Sequence, residues 1–251
     1  VIIHTPRLRR SLLILPAMIA LAHLAGCADR KSQSAEVVNY QSHSGLTQRY
    51  QVAVEQQLMV GAGKGDERRV VHLISSEMDG DSGAAERSSV LYAVTDQNGT
   101  LVSANRCSAN IVECSARIAE MAQLSCDAKG CFAVPEAGVR VINQKLGSKL
   151  AVGLTQEILT AFSSGDTKLE PEVECTVRLV DAIDGTPTVD PDAAPYRVYV
   201  VVSGTKGRFV GGQDCSPNEA IGQCGRWIAR RAAQMCMDAM ESGDEKLADG
   251  A

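Results

Sequence analysis

Apolar residues recur every fourth position over Tyr50, Val54 and Leu58, and again over Leu150, Leu154 and Ile158. That spacing marks the buried face of a helix. After each helix the pattern changes to short runs rich in β-branched residues. "RVVHLIS" and "SVLYAVT" follow the first helix; "CTVRLVD" and "YRVYVVVS" follow the second. Such runs predict strands. Within each pair they are separated by Gly-, Asp- and Pro-rich loops, at 79–88 and 184–195. "QNGT" (Gln97 to Thr100) predicts a two-residue hairpin, because Asn98-Gly99 tolerates the positive φ of such a turn. "SGTKG" takes that place in the second half, and "TLVSAN" and "RFVGG" supply third strands. A cysteine-bounded amphipathic stretch closes each series: "CSARIAEMAQLSC" (Cys114 to Cys126) and "CGRWIARRAAQMC" (Cys224 to Cys236).

The two series run in step. Leu73 and Leu179 precede Cys107 and Cys215 by 34 and 36 residues, and Ile118, Ala119 and Ala122 match Ile228, Ala229 and Ala232. Identity is low, yet elements, cysteines and spacing agree, so the chain reads as a duplication. The expected fold is α+β: two tandem related units, each a helix, a three-stranded antiparallel meander and a cystine-pinned helix packed on the sheet. A three-stranded sheet needs such a cover to bury its apolar face. The expected boundaries are 46–131 and 148–240 for the units and 132–147 for the connector, in which "GVRVIN" can add an edge strand. The polar segment 27–45 reads as a flexible tether, and the acidic stretch 241–251 as a disordered tail.

The segment 1–26 has a different character. Arg7, Arg9 and Arg10 precede an almost unbroken apolar run from Ser11 to Leu24, followed by polar residues. A run this short, flanked in this way, is the pattern of a secretory signal rather than a membrane span. It ends in Leu24-Ala25-Gly26-Cys27, which resembles the lipobox of bacterial lipoproteins. The resemblance covers this segment alone. It implies cleavage before Cys27, acylation of Cys27 and anchoring to a bilayer by lipid chains. In that class Ala28, lacking the aspartate associated with inner-membrane retention, points to an outer-membrane, periplasm-facing location.

Export into an oxidising compartment changes the reading of the cysteines. Eight follow Cys27, an even number that implies a disulfide framework. Cys114 and Cys126 cannot bond each other across an intact helix, since twelve residues separate their Cα atoms by roughly 18 Å. A disulfide allows only ~4.4–6.8 Å. A helix returning antiparallel to the third strand starts near the end of that strand, favouring Cys107–Cys114 and Cys215–Cys224. The end of the second unit's helix falls near the start of its first strand, favouring Cys175–Cys236. Cys126–Cys131 is the remaining pair.

Little conventional chemistry remains. His4 and His23 lie in the signal, His43 in the tether and His72 in an expected strand with no motif around it. Histidine-based triads and multi-histidine metal sites are therefore not expected, and no cofactor is implied. "GAGKGDERR" lacks the spacing and hydroxyl residue of a phosphate loop. The cysteine count makes a periplasmic thiol–disulfide enzyme the first enzymatic alternative, although the Cys-x-x-Cys pair such enzymes usually present is missing. The acids Asp79, Asp81, Asp181 and Asp184 are numerous enough to keep a carboxylate-dependent enzyme as an alternative. The chain carries 25 Lys+Arg against 30 Asp+Glu, and without a basic patch interleaved with aromatics nucleic acid is not an expected partner. A non-catalytic protein-binding module is the leading expectation. An inhibitor or immunity protein acting on an envelope enzyme or toxin, and an accessory factor of an envelope machine, both fit. Trp227 with Arg226, Arg230 and Arg231 is the candidate contact face, since Trp and Arg are enriched at interface hot spots.

Overall fold

In a computed structural model of the chain, the described residues are 35–40, 44–61, 68–78, 87–123, 138–164, 167, 169–170, 172–184, 196–215 and 220–248. They form an α+β fold of four helices and two four-stranded sheets. The first sheet comprises β1 (Ala35–Asn39), β2 (Arg69–Met78), β3 (Ser88–Asp96) and β4 (Leu101–Ala109), in that order across the sheet. α1 (Gly45–Gly61) lies between β1 and β2 in the chain, and α2 (Ile111–Gln123) follows β4. The second sheet orders β5 (Val139–Asn143), β6 (Cys175–Asp184), β7 (Tyr196–Ser203) and β8 (Phe209–Asp214) in the same way. α3 (Ser148–Ser163) lies between β5 and β6, and α4 (Ile221–Ala248) closes the chain.

Each sheet thus has one strand more than the three-stranded meander expected from sequence. β1 pairs with β2 in parallel, as β5 does with β6, while the remaining strands are antiparallel. A parallel neighbour needs a crossover connection, which α1 and α3 provide. β1 corrects the reading of 27–45 as a tether throughout: Ala35 and Val37 alternate into the core while Glu36 stays exposed. "GVRVIN" does form an edge strand, β5. At the other end α4 continues to Ala248, so the acidic stretch assigned to a disordered tail begins inside this helix.

Local sequence explains the turns. Asp96 Oδ1 accepts the backbone N–H groups of Asn98 (2.8 Å) and Thr100 (2.9 Å), and Gly99 takes φ +81°. The hairpin forms where the Asn-Gly pair places it, but its loop has three residues rather than the two expected: the Gly99 N–H donates to the Asp96 carbonyl at 3.1 Å, the Asp96 N–H to the Thr100 carbonyl at 3.0 Å, and only Gly99 uses the left-handed region. Asn110 Oδ1 accepts the Glu113 N–H at 2.9 Å, capping the start of α2.

Alternation sorts the side chains into three cores. Val71, Leu73, Val90, Tyr92 and Val94 face α1 and α2. Val177, Leu179, Val198, Val200 and Val202 face α3 and α4. The opposite faces meet each other, with Ile74, Leu91, Ala93, Leu101 and Ala104 packed against Val180, Tyr199, Val201 and Phe209. The layers therefore run helix, sheet, sheet, helix, and the described residues form one compact unit. This is why β3 and β7 are nearly continuous apolar runs: strands buried on both faces lose the polar half of the alternation.

Candidate functional site

α4 presents the residues singled out in the sequence. Cys224, Ile228, Ala229, Ala232, Ala233 and Cys236 are buried, and the small alanines let the helix settle close to the sheet. Arg226, Trp227, Arg230 and Arg231 occupy the opposite, exposed face. Disulfides Cys215–Cys224 and Cys175–Cys236 pin the two ends of that stretch, and Cys107–Cys114 pins α2. These three are the pairs expected from helix geometry; Cys27, Cys126 and Cys131 lie outside the described residues. α4 approaches α3 so closely at Gly225 that a Cβ there would lie 2.4 Å from Glu157 Cβ. Glu157 Oε2 stands 3.9 Å from Arg226 Nη1, both partly exposed, so this ion pair is screened and weak.

A second concentration of polar groups lies between the sheets. Arg197 of β7 donates to Asp214 Oδ2 of β8 at 2.7 Å and also to Glu77 of β2. Arg106 of β4 stands 3.6 Å from Asp181 of β6, and its guanidinium lies 4.6 Å from the centre of the Tyr199 ring. Burial raises the Tyr199 hydroxyl above its ordinary pKa. Asp181 is thus held by a guanidinium rather than exposed as a loop acid. Asp79 and Asp81 lie outside the described residues. The cluster ties β2 and β4 of one sheet to β6, β7 and β8 of the other, and its chemistry is that of an inter-sheet clamp.

His72 lies in the same interface. Its Nε2 is 3.0 Å from Thr95 Oγ1, and its ring centre is 4.6 Å from that of Phe209 and 6.4 Å from that of Tyr40. Desolvation lowers its pKa from 6.5 to about 4, so the imidazole is neutral near pH 7. The Tyr40 hydroxyl donates to the Val210 carbonyl, adding another tie from one sheet to the other. Among the described residues no group of three or more His, Cys, Asp or Glu is arranged to hold a metal ion.

The feature that sequence reasoning missed is a groove of about 770 Å³ beside the β5 edge, lined by Val141, Asn143, Ala151, Val152, Thr155 and Leu159 among others. Val152 is 66% exposed and Leu159 40%, too open for residues that merely complete a core. At the corresponding place on the first sheet, where Val52 and Met59 are also exposed, polar side chains are linked to one another. Asn39 donates to Gln51 Oε1 at 2.6 Å, and Gln51 donates to Glu55 Oε1 at 3.0 Å. The available sequence signal was the apolar pair Val152 and Leu159, outside the Leu150, Leu154, Ile158 stripe.

Comparison with known proteins found no matching family model and no matching curated protein. No helix among the described residues is long and apolar enough to cross a membrane.

Proposed function

We propose that the chain is an exported lipoprotein, anchored through acylated Cys27 in the outer membrane and facing the periplasm. Its folded part is a non-catalytic protein-binding module made of two related, cystine-pinned units. The duplication is supported by matched element order and by bulges at equivalent positions, Leu73/Ser75 with Leu179/Asp181 and Val94/Thr95 with Val202/Ser203. It is supported further by exchanged contacts. Tyr40, just after β1, reaches the Val210 carbonyl of the second sheet, and Gln144, just after β5, reaches the Ala104 carbonyl of the first at 2.8 Å.

The observation that carries protein binding is the open groove beside the β5 edge strand. Among the described residues β5 pairs with β6 alone, leaving its outer edge for another strand. An extended segment with apolar side chains at alternate positions would extend the sheet and place them against Val152 and Leu159. The non-catalytic reading is supported by the inter-sheet carboxylates, which are ion-paired, and by His72, which is hydrogen-bonded to Thr95 rather than set against a nucleophile. Such a module suits an inhibitor or immunity protein for an envelope enzyme or toxin.

Photo-crosslinking in cells tests this. A crosslinker at Leu159 is expected to trap one discrete partner, and Thr155→Arg, which fills the groove, to abolish it. A crosslinker at Glu55, at the corresponding place on the first sheet, is expected to trap none. Equal trapping from both positions would remove the groove as the binding site.

A further inference from the structure

We propose that the exposed face of α4 built from Arg226, Trp227, Arg230 and Arg231 docks against an anionic bilayer surface, in place of the protein contact expected from sequence. From Ile221 to Met237 this helix contains no acidic residue, and α3 beside it contributes only Glu157, which stands against Arg226. Arg230 and Arg231 make no ion pair or hydrogen bond among the described residues. The helices covering the other sheet are different, with Glu55, Glu113 and Glu120 interspersed with Arg49 and Arg117. Although the chain's formal net charge is −5, the first four turns of α4 thus present a cationic, aromatic face, bounded by the exposed acids Asp238 and Glu241, an asymmetry that orients it toward a negative plane.

The residue types match lipid chemistry. Guanidinium groups bind phosphate oxygens through paired donors, and tryptophan settles at headgroup depth, its ring in apolar surroundings and its N–H toward water. Each cation near an anionic surface adds to attraction that fades within a Debye length. On the reading that Cys27 is acylated, the start of the fold also keeps the domain close to the bilayer. With β1 beginning at Ala35, seven residues separate it from Cys27, a reach of at most about 29 Å. A domain tethered that closely meets the bilayer at high effective concentration, so even weak surface affinity is enough to orient it.

Trp227 is the only tryptophan, so its fluorescence reports on this face directly. The chain from residue 27 onward, carrying Cys27→Ser and therefore no lipid, contains every element described above. Vesicles containing phosphatidylglycerol are expected to shift its emission to the blue and to co-sediment with it, whereas pure phosphatidylcholine vesicles do neither. Arg230→Gln with Arg231→Gln should weaken binding about thirtyfold, the loss of two near-surface cations at about 1 kcal/mol each. Arg117→Gln on α2 should leave binding unchanged, and circular dichroism confirms that each variant is folded. Unchanged emission with anionic vesicles, or full binding by the double variant, overturns the proposal. So does a shift produced by a soluble acidic polypeptide but not by vesicles, which would assign the face to an acidic protein. Mass analysis of the native N-terminus reads Cys27 acylation separately, so failure of the anchor and failure of the docking face are distinguishable.

Discussion

Thr100 and Arg208 form an antiparallel bridge between the two sheets. Each residue stands immediately before the last strand of its own sheet, and next to the bridge the Phe209 N–H donates to the Gly99 carbonyl at 3.0 Å. The sheets are therefore joined by backbone at this point and by side chains elsewhere along the interface.

Arg106 is the most consequential of those side chains. Its guanidinium is almost fully buried, stands 3.6 Å from Asp181 and lies over Tyr199. Arg106→Ala leaves a carboxylate without its partner and opens a void beside the ring. Denaturant unfolding is expected to show a loss of about 3 kcal/mol. A double-mutant cycle with Asp181→Ala should return a favourable coupling of about 1 kcal/mol or more; zero coupling would mean that the two residues act independently.

His72 makes the same interface sensitive to acid. Its pKa in the folded protein, about 4, lies below the ordinary imidazole value of 6.5, so between those values the unfolded chain binds more protons. Stability falls as pH drops from ~6.5 toward 4, and the His72 contribution to the slope ends below 4. With solvent screening at its partly open side, the expected loss is roughly 2 kcal/mol. Unfolding curves between pH 4 and 7 for wild type and His72→Gln check this, because carboxylate titration is common to both and cancels in the difference.

The disulfides should differ in weight. Cys175–Cys236 closes a separation of 61 residues and Cys107–Cys114 one of 7. Loop entropy then predicts about 4 kcal/mol lost on replacing the first pair with serine and about 2.5 kcal/mol on replacing the second. Thermal or urea unfolding of the two double-serine variants measures the order. Peptide mapping of the unreduced protein tests the three pairs and also reads Cys126 and Cys131.

Gly225 controls how closely the two outer helices pack. A methyl group there would meet Glu157 Cβ, which is anchored to the α3 backbone and cannot swing aside. Gly225→Ala is therefore expected to destabilise the protein by about 1–3 kcal/mol, despite alanine's better helix propensity. An unchanged unfolding midpoint would show that α3 and α4 separate without cost.

The amino-acid order alone was enough for much of the local structure. Four-residue periodicity marks α1 and α3, Asn98-Gly99 marks the hairpin, and cysteine spacing along an antiparallel helix leads to three pairings present in the structure. These are short-range consequences of backbone geometry. β1 escaped notice because five residues with only two buried positions carry little periodicity until β2 lies beside them. Tertiary structure alone decided what covers the second faces of β3 and β7. Their unbroken apolar runs state that both faces are buried, but a helix and another sheet demand the same hydrophobicity, and the choice depends on residues more than a hundred positions away. The groove beside β5 has the same origin. Val152 and Leu159 acquire their meaning only when an edge strand stands next to α3 and no side chain comparable to Gln51 or Glu55 fills the space between them.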